Sequence, residues 1–219
     1  DVQNISVEVT PEMYLLDGAS VLVLITASVL VSGIVILKRN PKDILSEIIA
    51  HKRIEIELQK QAVSLERLQE EVAAMMQKDA TAGTSVAIPV RSMKQALASS
   101  PTGIIAEFKR RSPSKGWIHE TARAEEIPAA YETAGASAVS ILTDEKFFGG
   151  SLQDIRMARP LIGIPILRKD FIIDEYQLLQ ARIVGADAVL LIAACLTQEE
   201  CATLTARAHA LGLEVLLEI

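Results

Sequence analysis

The chain has 219 residues, of which 50% are apolar and 23% are charged, a composition that predicts a packed core and excludes a disordered chain. Its 22 basic and 28 acidic residues give a net charge of -6, which argues against a nucleic-acid binder because such proteins carry an excess of basic groups. Two cysteines, Cys195 and Cys201, are too few for a disulfide framework or a cysteine metal site. This favours a reducing compartment, so we expect the protein in the cytoplasm.

The first segment of the chain contains an uncharged apolar stretch, residues 18–37. As a helix rising about 1.5 Å per residue, it would span the roughly 30 Å of a bilayer's hydrocarbon. Basic residues follow it and acidic residues precede it, which would place the rest of the chain on the cytoplasmic face of a membrane. A buried β-rich piece and foreign sequence are the alternatives. We treat residues 1–41 as a separate segment, and any membrane contact would involve only 18–37.

Residues 42–100 are predicted to form an N-terminal helical extension. Apolar residues recur at helical spacing between Ile44 and Met76, with charged residues such as Lys52 between them, which predicts one or two amphipathic helices. We interpret the apolar stripe from Ile44 to Leu58 as core or as a cover of the domain that follows. A loop is expected over 79–85 and a short helix over 92–98.

From Gly103 onward, short apolar runs alternate with helical stretches, which indicates a second domain over residues 101–219. The predicted strands are 104–108, 138–142, 165–168, 188–193 and 214–219, and the predicted helices are 124–134, 152–158, 173–184 and 198–211. Such βα repeats predict parallel strands with crossover helices, in a doubly wound sheet or a (β/α)8 barrel. Glycines at 135, 185 and 212 are expected to cap helices in the left-handed conformation.

Charged residues collect where the predicted strands end. Glu107 and Lys109 close the first strand and, two positions apart, point to the same face. Lys169 and Asp170 follow the third strand, and Glu218 lies at the end of the fifth. Barrel enzymes build their sites from the carboxyl ends of several strands, so this distribution favours the barrel.

The segment 105–116 (IAEFKRRSPSKG) resembles the first-strand signature of the indole-3-glycerol phosphate synthase family. Further segments resemble the family's later motifs in the same order, namely 140–144 with 147–151, 165–177, 185–194 and 213–218. Residues 42–53 also resemble the extra helix that this family places over the mouth of its barrel. The resemblance covers about 42–219 and does not extend to 1–41.

This resemblance implies a TIM barrel lyase of tryptophan biosynthesis. The family closes the ring of 1-(2-carboxyphenylamino)-1-deoxyribulose 5-phosphate, a phosphosugar, with loss of CO2 and water, to give indole-3-glycerol phosphate. It implies no cofactor and no metal, and it leaves the oligomeric state open. The histidines have no metal-like spacing and are interpreted as structural or surface residues: His51, His119 and His209.

Matched motif by motif, the resemblance also implies roles for individual residues. Lys169 resembles the general acid of ring closure. Lys109 resembles the lysine that holds the anthranilate carboxylate, with Glu107 positioning it. Glu218 resembles the carboxylate that acts as a base, or stabilises the cationic intermediate, during dehydration. The implied substrate-binding residues are Ser112 at the phosphate and, around the aromatic ring, Phe148, Phe171 and Leu190.

The residues support this chemistry by their own properties. A decarboxylation and dehydration without a cofactor needs a proton donor, a proton acceptor and a cation for the carboxylate. Lys169, Glu218 and Lys109 supply these three charge types.

The chain stops at Ile219, inside the fifth predicted strand. We therefore expect an incomplete barrel of about five βα units whose sequence continues further, and which alone is unstable or binds phosphate poorly. An inactive fragment or a membrane-tethered pseudoenzyme or scaffold is one alternative. Another is a different phosphosugar barrel such as phosphoribosylanthranilate isomerase. The pattern of Glu107, Lys109 and Lys169 argues against it, because an isomerase of that kind is expected to carry a Cys/Asp acid–base pair instead.

Overall fold

A computed structural model of the protein describes residues 41–81 and 90–219. The predicted apolar stretch at 18–37 lies outside these residues, as does most of the predicted loop at 79–85. Within the two described ranges, no helix combines the length and the hydropathy that crossing a membrane requires.

Two helices, α1 (Pro41–Ala62) and α2 (Leu65–Thr81), form the first part of the described chain. They confirm the predicted amphipathic helices. Their buried face packs on a later helix, α7 (Glu175–Val184), through a cluster that includes Ile56, Leu68, Val72, Tyr176 and Leu179. The extension therefore shares a core with the following βα units.

The interpretation of the whole stripe from Ile44 to Leu58 as core or cover is wrong at two positions. Ile54 and Leu58 are 61% and 59% exposed, whereas Ile48 and Ile56 are buried. The buried face of α1 is centred on Lys52, midway between Ile48 and Ile56, and at about 100° per residue Ile54 and Leu58 lie about 160° and about 120° away from it. Apolar spacing alone did not separate the two faces.

The described residues contain one parallel sheet of five strands in the order β1-β4-β5-β6-β7. Its strands are β1 (Ile105–Phe108), β4 (Ala138–Leu142), β5 (Ile166–Lys169), β6 (Ala188–Ile192) and β7 (Glu214–Glu218). The sheet order follows the chain order in one direction. A doubly wound sheet reverses its order at a switch point, so the arrangement agrees with an incomplete TIM barrel.

A small antiparallel hairpin that the sequence did not predict follows β1. Its strands are β2 (Arg111–Ser112) and β3 (Gly116–Trp117). The remaining helices are α3 (Met93–Ser99), α4 (Ile127–Thr133), α5 (Glu145–Phe148), α6 (Leu152–Ala158) and α8 (Gln198–Ala210), with 3-10 turns at Arg159–Leu161 and Ala193–Cys195. The predicted helices agree with these bounds within a few residues. The short helix α5 was not predicted.

Local signals explain why the elements begin and end where they do. Asp174 and Thr197 form capping boxes at the starts of α7 and α8, satisfying amide groups that the helix leaves free. The left-handed glycines are confirmed, with φ of 93° at Gly135, 89° at Gly185 and 76° at Gly212. Each lets the chain turn from a helix into the next strand.

The two faces of the sheet bury different residues, as the alternation of strand side chains requires. The outer face packs on the helices through residues such as Phe108, Val139, Ile141, Ile166, Val189 and Leu191. The inner face carries Ile105, Ala138, Leu167, Ala188, Leu190 and Leu216, and is covered at one end by Met93 and Leu97 of α3. This second set shows which strand positions face the barrel interior.

Gly150 makes a close approach that only glycine tolerates. A Cβ atom there would lie 2.6 Å from the Leu142 carbonyl carbon and 2.9 Å from the Thr143 nitrogen, both backbone atoms at the end of β4. We expect Gly150→Ala to lower the free energy of unfolding by about 1–3 kcal/mol, because the backbone must shift. Urea unfolding measures this. Gly163→Ala is the matched control, since its Cβ would meet only the flexible Glu132 side chain, and equal unfolding midpoints for the two variants would contradict the prediction.

Candidate functional site

The charged residues singled out in the sequence lie at the carboxyl ends of the strands. Three of them lie two positions after a residue of the inner face. Glu107 follows Ile105 in β1, Lys169 follows Leu167 in β5, and Glu218 follows Leu216 in β7. Alternation along a strand therefore directs all three side chains to the barrel interior. Across the sheet, Lys169 lies between the two carboxylate-bearing strands.

Glu107 lies between two lysines. Its Oε1 accepts a hydrogen bond from Lys109 Nζ at 2.6 Å, and its Oε2 accepts one from Lys169 Nζ at 2.7 Å. The side chains of Glu107, Lys109 and Lys169 are 22%, 19% and 21% exposed. The sequence paired Glu107 with Lys109 only. The contact with Lys169 crosses over β4 and joins residues 62 positions apart.

The charges of this cluster set the ionisation of its carboxyl group. Burial by itself would raise the pKa of Glu107, but the attraction of Lys169 and Lys109 outweighs burial, and the pKa lies below its ordinary value. One carboxylate shared by two ammonium groups leaves a net positive charge. Such a cluster can bind a substrate carboxylate and supply a proton.

Two residues that were not predicted as site residues, Tyr131 and Arg110, hold the backbone around the end of β1. The Tyr131 hydroxyl donates a hydrogen bond to the Glu107 carbonyl oxygen at 3.1 Å. Arg110 donates to the backbone carbonyls of Ala122 and Gly149 and forms a bidentate pair with Asp154 in α6. These contacts of the Arg110 side chain fix the chain beyond β1.

Glu218 lies beside Ile192 in the β6–β7 register. Burial, and then the negative charge of Glu218, raise the pKa of the nearby Cys195 thiol to about 11, so that this thiol stays protonated at neutral pH. The carboxylate of Glu218 is therefore close to the turn that follows β6. No ion pair joins Glu218 to Lys109 or Lys169 in the part of the chain that the structure describes.

The residues expected around an aromatic ring are brought to the same edge. Phe148 ends α5 and Phe171 follows β5, and their ring centroids lie 6.0 Å apart at an interplanar angle of 37°. This is a typical separation for an aromatic pair. Leu190 is buried in the inner face with Leu167 and Leu216, below the strand ends.

Ser112 lies in the hairpin after β1. Its hydroxyl accepts a hydrogen bond from the Lys115 amide at 3.2 Å and lies 3.4 Å from the Ser114 hydroxyl. The turn thus orients the side chain. Arg111 stacks over the Trp117 ring at 5.5 Å, which fixes the two strands of the hairpin to each other.

A second charged cluster lies next to the first and was missed in the sequence. Lys52 of α1 is 1% exposed, and its ammonium contacts Asp144 at 2.9 Å, Asp170 at 3.0 Å and Glu55 at 2.9 Å. Burial would lower the pKa of Lys52, but these carboxylates outweigh burial and raise it. The sequence did contain a signal for the burial of Lys52. This residue lies four positions from both Ile48 and Ile56, which places it on the buried face of α1.

Asp170 receives several of these contacts. Its Oδ2 accepts hydrogen bonds from the Thr143 hydroxyl at 2.6 Å and from Arg168 at 3.0 Å. Burial would raise its pKa, but the attraction of Arg168 and Lys52 outweighs burial and lowers it to about 2.

Among the described residues, no three His, Cys, Asp or Glu side chains come together as metal ligands.

Comparison with known proteins gives a consistent result. The sequence profile described as indole-3-glycerol phosphate synthase matches residues 45–219. The chain is 68% identical over 178 residues to an indole-3-glycerol phosphate synthase of Bacteroides thetaiotaomicron. It is 46% identical over 181 residues to one of Neisseria meningitidis and 43% identical over 177 residues to one of Burkholderia vietnamiensis.

Each of these alignments covers 81% of this chain. The chain spans 64% of the length of the Bacteroides and Burkholderia proteins and 65% of the length of the Neisseria protein.

Ionised Asp170 should stabilise the folded protein. Because its folded pKa of about 2 lies below its unfolded value of about 3.9, it contributes about 2.5 kcal/mol that is fully present above about pH 5 and is lost as the pH falls through 2. We expect urea unfolding of the Asp170→Asn variant to depend less steeply on pH between 5 and 2 than that of the unchanged protein. Glu120→Gln, at an exposed position, is the control. Parallel pH curves for Asp170→Asn and the unchanged protein would contradict the prediction.

Proposed function

The chain belongs to the indole-3-glycerol phosphate synthase family, and on that premise we propose that it acts in tryptophan biosynthesis as this carboxy-lyase. The proposed reaction closes, decarboxylates and dehydrates 1-(2-carboxyphenylamino)-1-deoxyribulose 5-phosphate to indole-3-glycerol phosphate. The observation that carries the proposal is Glu107 held between Lys109 and Lys169 at the strand ends.

The cluster supports the first steps of this reaction. Lys109 is proposed to hold the carboxylate on the substrate's ring, which matches the net positive charge of the cluster. The ring carbon bearing that carboxylate bonds to the sugar carbonyl carbon, while Lys169 donates a proton to the carbonyl oxygen. Departure of CO2 then returns the electron pair to the ring. Glu107 positions both ammonium groups for these steps.

Dehydration needs a second set of proton transfers. The hydroxyl formed by ring closure leaves as water once it receives a proton, for which Lys109 is a candidate. The cationic intermediate then loses a proton to give the indole. Glu218, directed to the same interior as Lys169, is proposed to accept that proton or to stabilise the cation.

The remaining site residues are proposed to bind the substrate. The Phe148 and Phe171 rings would contact the anthranilate ring, with Leu190 below them, and Ser112 would contact the phosphate. These steps use side-chain acids and bases without a cofactor or a metal. We propose the cytoplasm as the compartment of this enzyme.

The isomerase alternative would need a Cys/Asp acid–base pair. The inward residues at the ends of β1 and β5 are Glu107 and Lys169, and the raised pKa of Cys195 makes that thiol a poor base at neutral pH. These observations favour the synthase.

The direct test supplies the full-length gene product with the carboxyphenylamino-deoxyribulose phosphate and follows the fluorescence of the indole product. We expect Lys169→Met to lower kcat by about 10²–10⁴-fold, because general acid catalysis is lost, and Lys109→Met to raise KM as well. Lys94→Met, at an exposed position of α3, is the control and should keep full turnover.

Two results would count against the proposal. Full turnover by Lys169→Met would remove the assigned general acid. Absence of product from the unchanged gene product would favour the inactive or scaffold alternative.

A further inference from the structure

We propose that Lys52 is a positioning residue for this site. Its buried ammonium joins the segment after β4 to the segment after β5, and so sets where Phe148, Lys169 and Phe171 lie relative to one another. This inference rests on the proposed function, because that function assigns these residues to substrate.

The contacts of Lys52 reach two different βα units. Its Nζ lies 2.9 Å from an oxygen of Asp144, which follows β4, and 3.0 Å from an oxygen of Asp170, which follows β5. All three side chains are almost fully buried. A cation supplied by α1 therefore holds together two carboxylates that belong to separate parts of the sheet.

Each of these carboxylates also holds a site residue in place. Asp144 Oδ1 accepts a hydrogen bond from the Phe147 amide at 2.8 Å and caps α5, which ends at Phe148. Asp170 directly follows Lys169, and its Oδ1 accepts a hydrogen bond from the Phe171 amide at 2.8 Å. Movement of either aspartate would therefore move a residue of the site.

The charges explain why Lys52 is needed. Lys52 and Arg168 offset the charges of Asp144 and Asp170, whose side chains are almost fully buried, and Lys52 also contacts the partly exposed Glu55. Both aspartate oxygens contact the same nitrogen, so at most about 6 Å separates them, and without Lys52 the two carboxylates repel each other strongly in low dielectric. The ends of β4 and β5 would then move apart.

Stability alone does not account for such a cluster. Burying ions costs several kcal/mol in desolvation, which their mutual attraction only roughly repays. What the cluster provides is a fixed geometry between two strand ends. A displacement of about 1 Å in a catalytic group can cost on the order of 100-fold in rate.

The test compares Lys52→Met with Lys60→Met. Lys60 is a matched control because it also lies on α1 and reaches the same βα unit, through Asp174 at 2.7 Å, but it contacts neither Asp144 nor Asp170. Lys52→Arg keeps the positive charge and should restore most of the function. All variants are made in the full-length gene product and checked for folding by circular dichroism.

Two measurements are made on these variants. Hydrogen exchange should be at least tenfold faster at the Phe147 and Phe171 amides in Lys52→Met, and unchanged within β6, while Lys60→Met exchanges like the unchanged protein. In turnover assays, Lys52→Met should lower kcat at least tenfold and raise KM, whereas Lys60→Met should change neither more than twofold.

The outcomes separate this inference from the proposed function. Unchanged exchange at both amides, or faster exchange with unchanged kcat and KM, would overturn the positioning role. If the unchanged gene product shows no turnover, the proposed function fails, and the exchange result still decides whether Lys52 holds the two segments.

A second variant covers the case in which Lys52→Met does not fold. Combining Lys52→Met with Asp144→Asn removes one buried charge of each sign and keeps the α5 cap. Exchange by that double variant at the rate of the unchanged protein would overturn the inference.

Discussion

The strand ends of this protein are organised by the need to pair charges that are removed from water. Glu107 is ionised because Lys109 and Lys169 flank it, and Asp170 because Arg168 and Lys52 do. An unpaired charge at either place would change its protonation state or draw in water. The two clusters meet at the end of β5, where Lys169 belongs to one and Asp170 to the other, so that a single strand end links the site to the helix that covers it.

The apolar layers give these charges their fixed positions. Outer-face residues anchor the strands to the surrounding helices, and α3 covers the inner face at the opposite end. The absence of a side chain at Gly150 lets the segment after α5 lie directly against the end of β4. Because packed cores do not deform continuously, ammonium and carboxylate groups carried by different strands keep hydrogen-bonding distance.

The helical extension is joined to the βα units by apolar contacts and by a buried charged residue. The family profile begins at residue 45, so it includes most of α1. Apolar contacts place α1 and α2 against α7, and Lys52 adds a charged contact to the strand ends. Apolar packing sets the position of α1 against α7, and the contacts of Lys52 with Asp144 and Asp170 tie α1 to the ends of two strands. The extension is thus placed to influence the geometry of the site.

The sequence by itself determined the five parallel strands, most of the helices, the glycine caps and the residues at the strand ends, because alternation, capping and turn chemistry act over a few neighbouring positions. It also carried the family motifs around Glu107 and Lys169. Only the tertiary structure brought Lys169 to Glu107 across β4, buried Lys52 among carboxylates and left Ile54 and Leu58 exposed. These contacts join residues far apart in the chain, and their energies depend on burial, which no local pattern specifies.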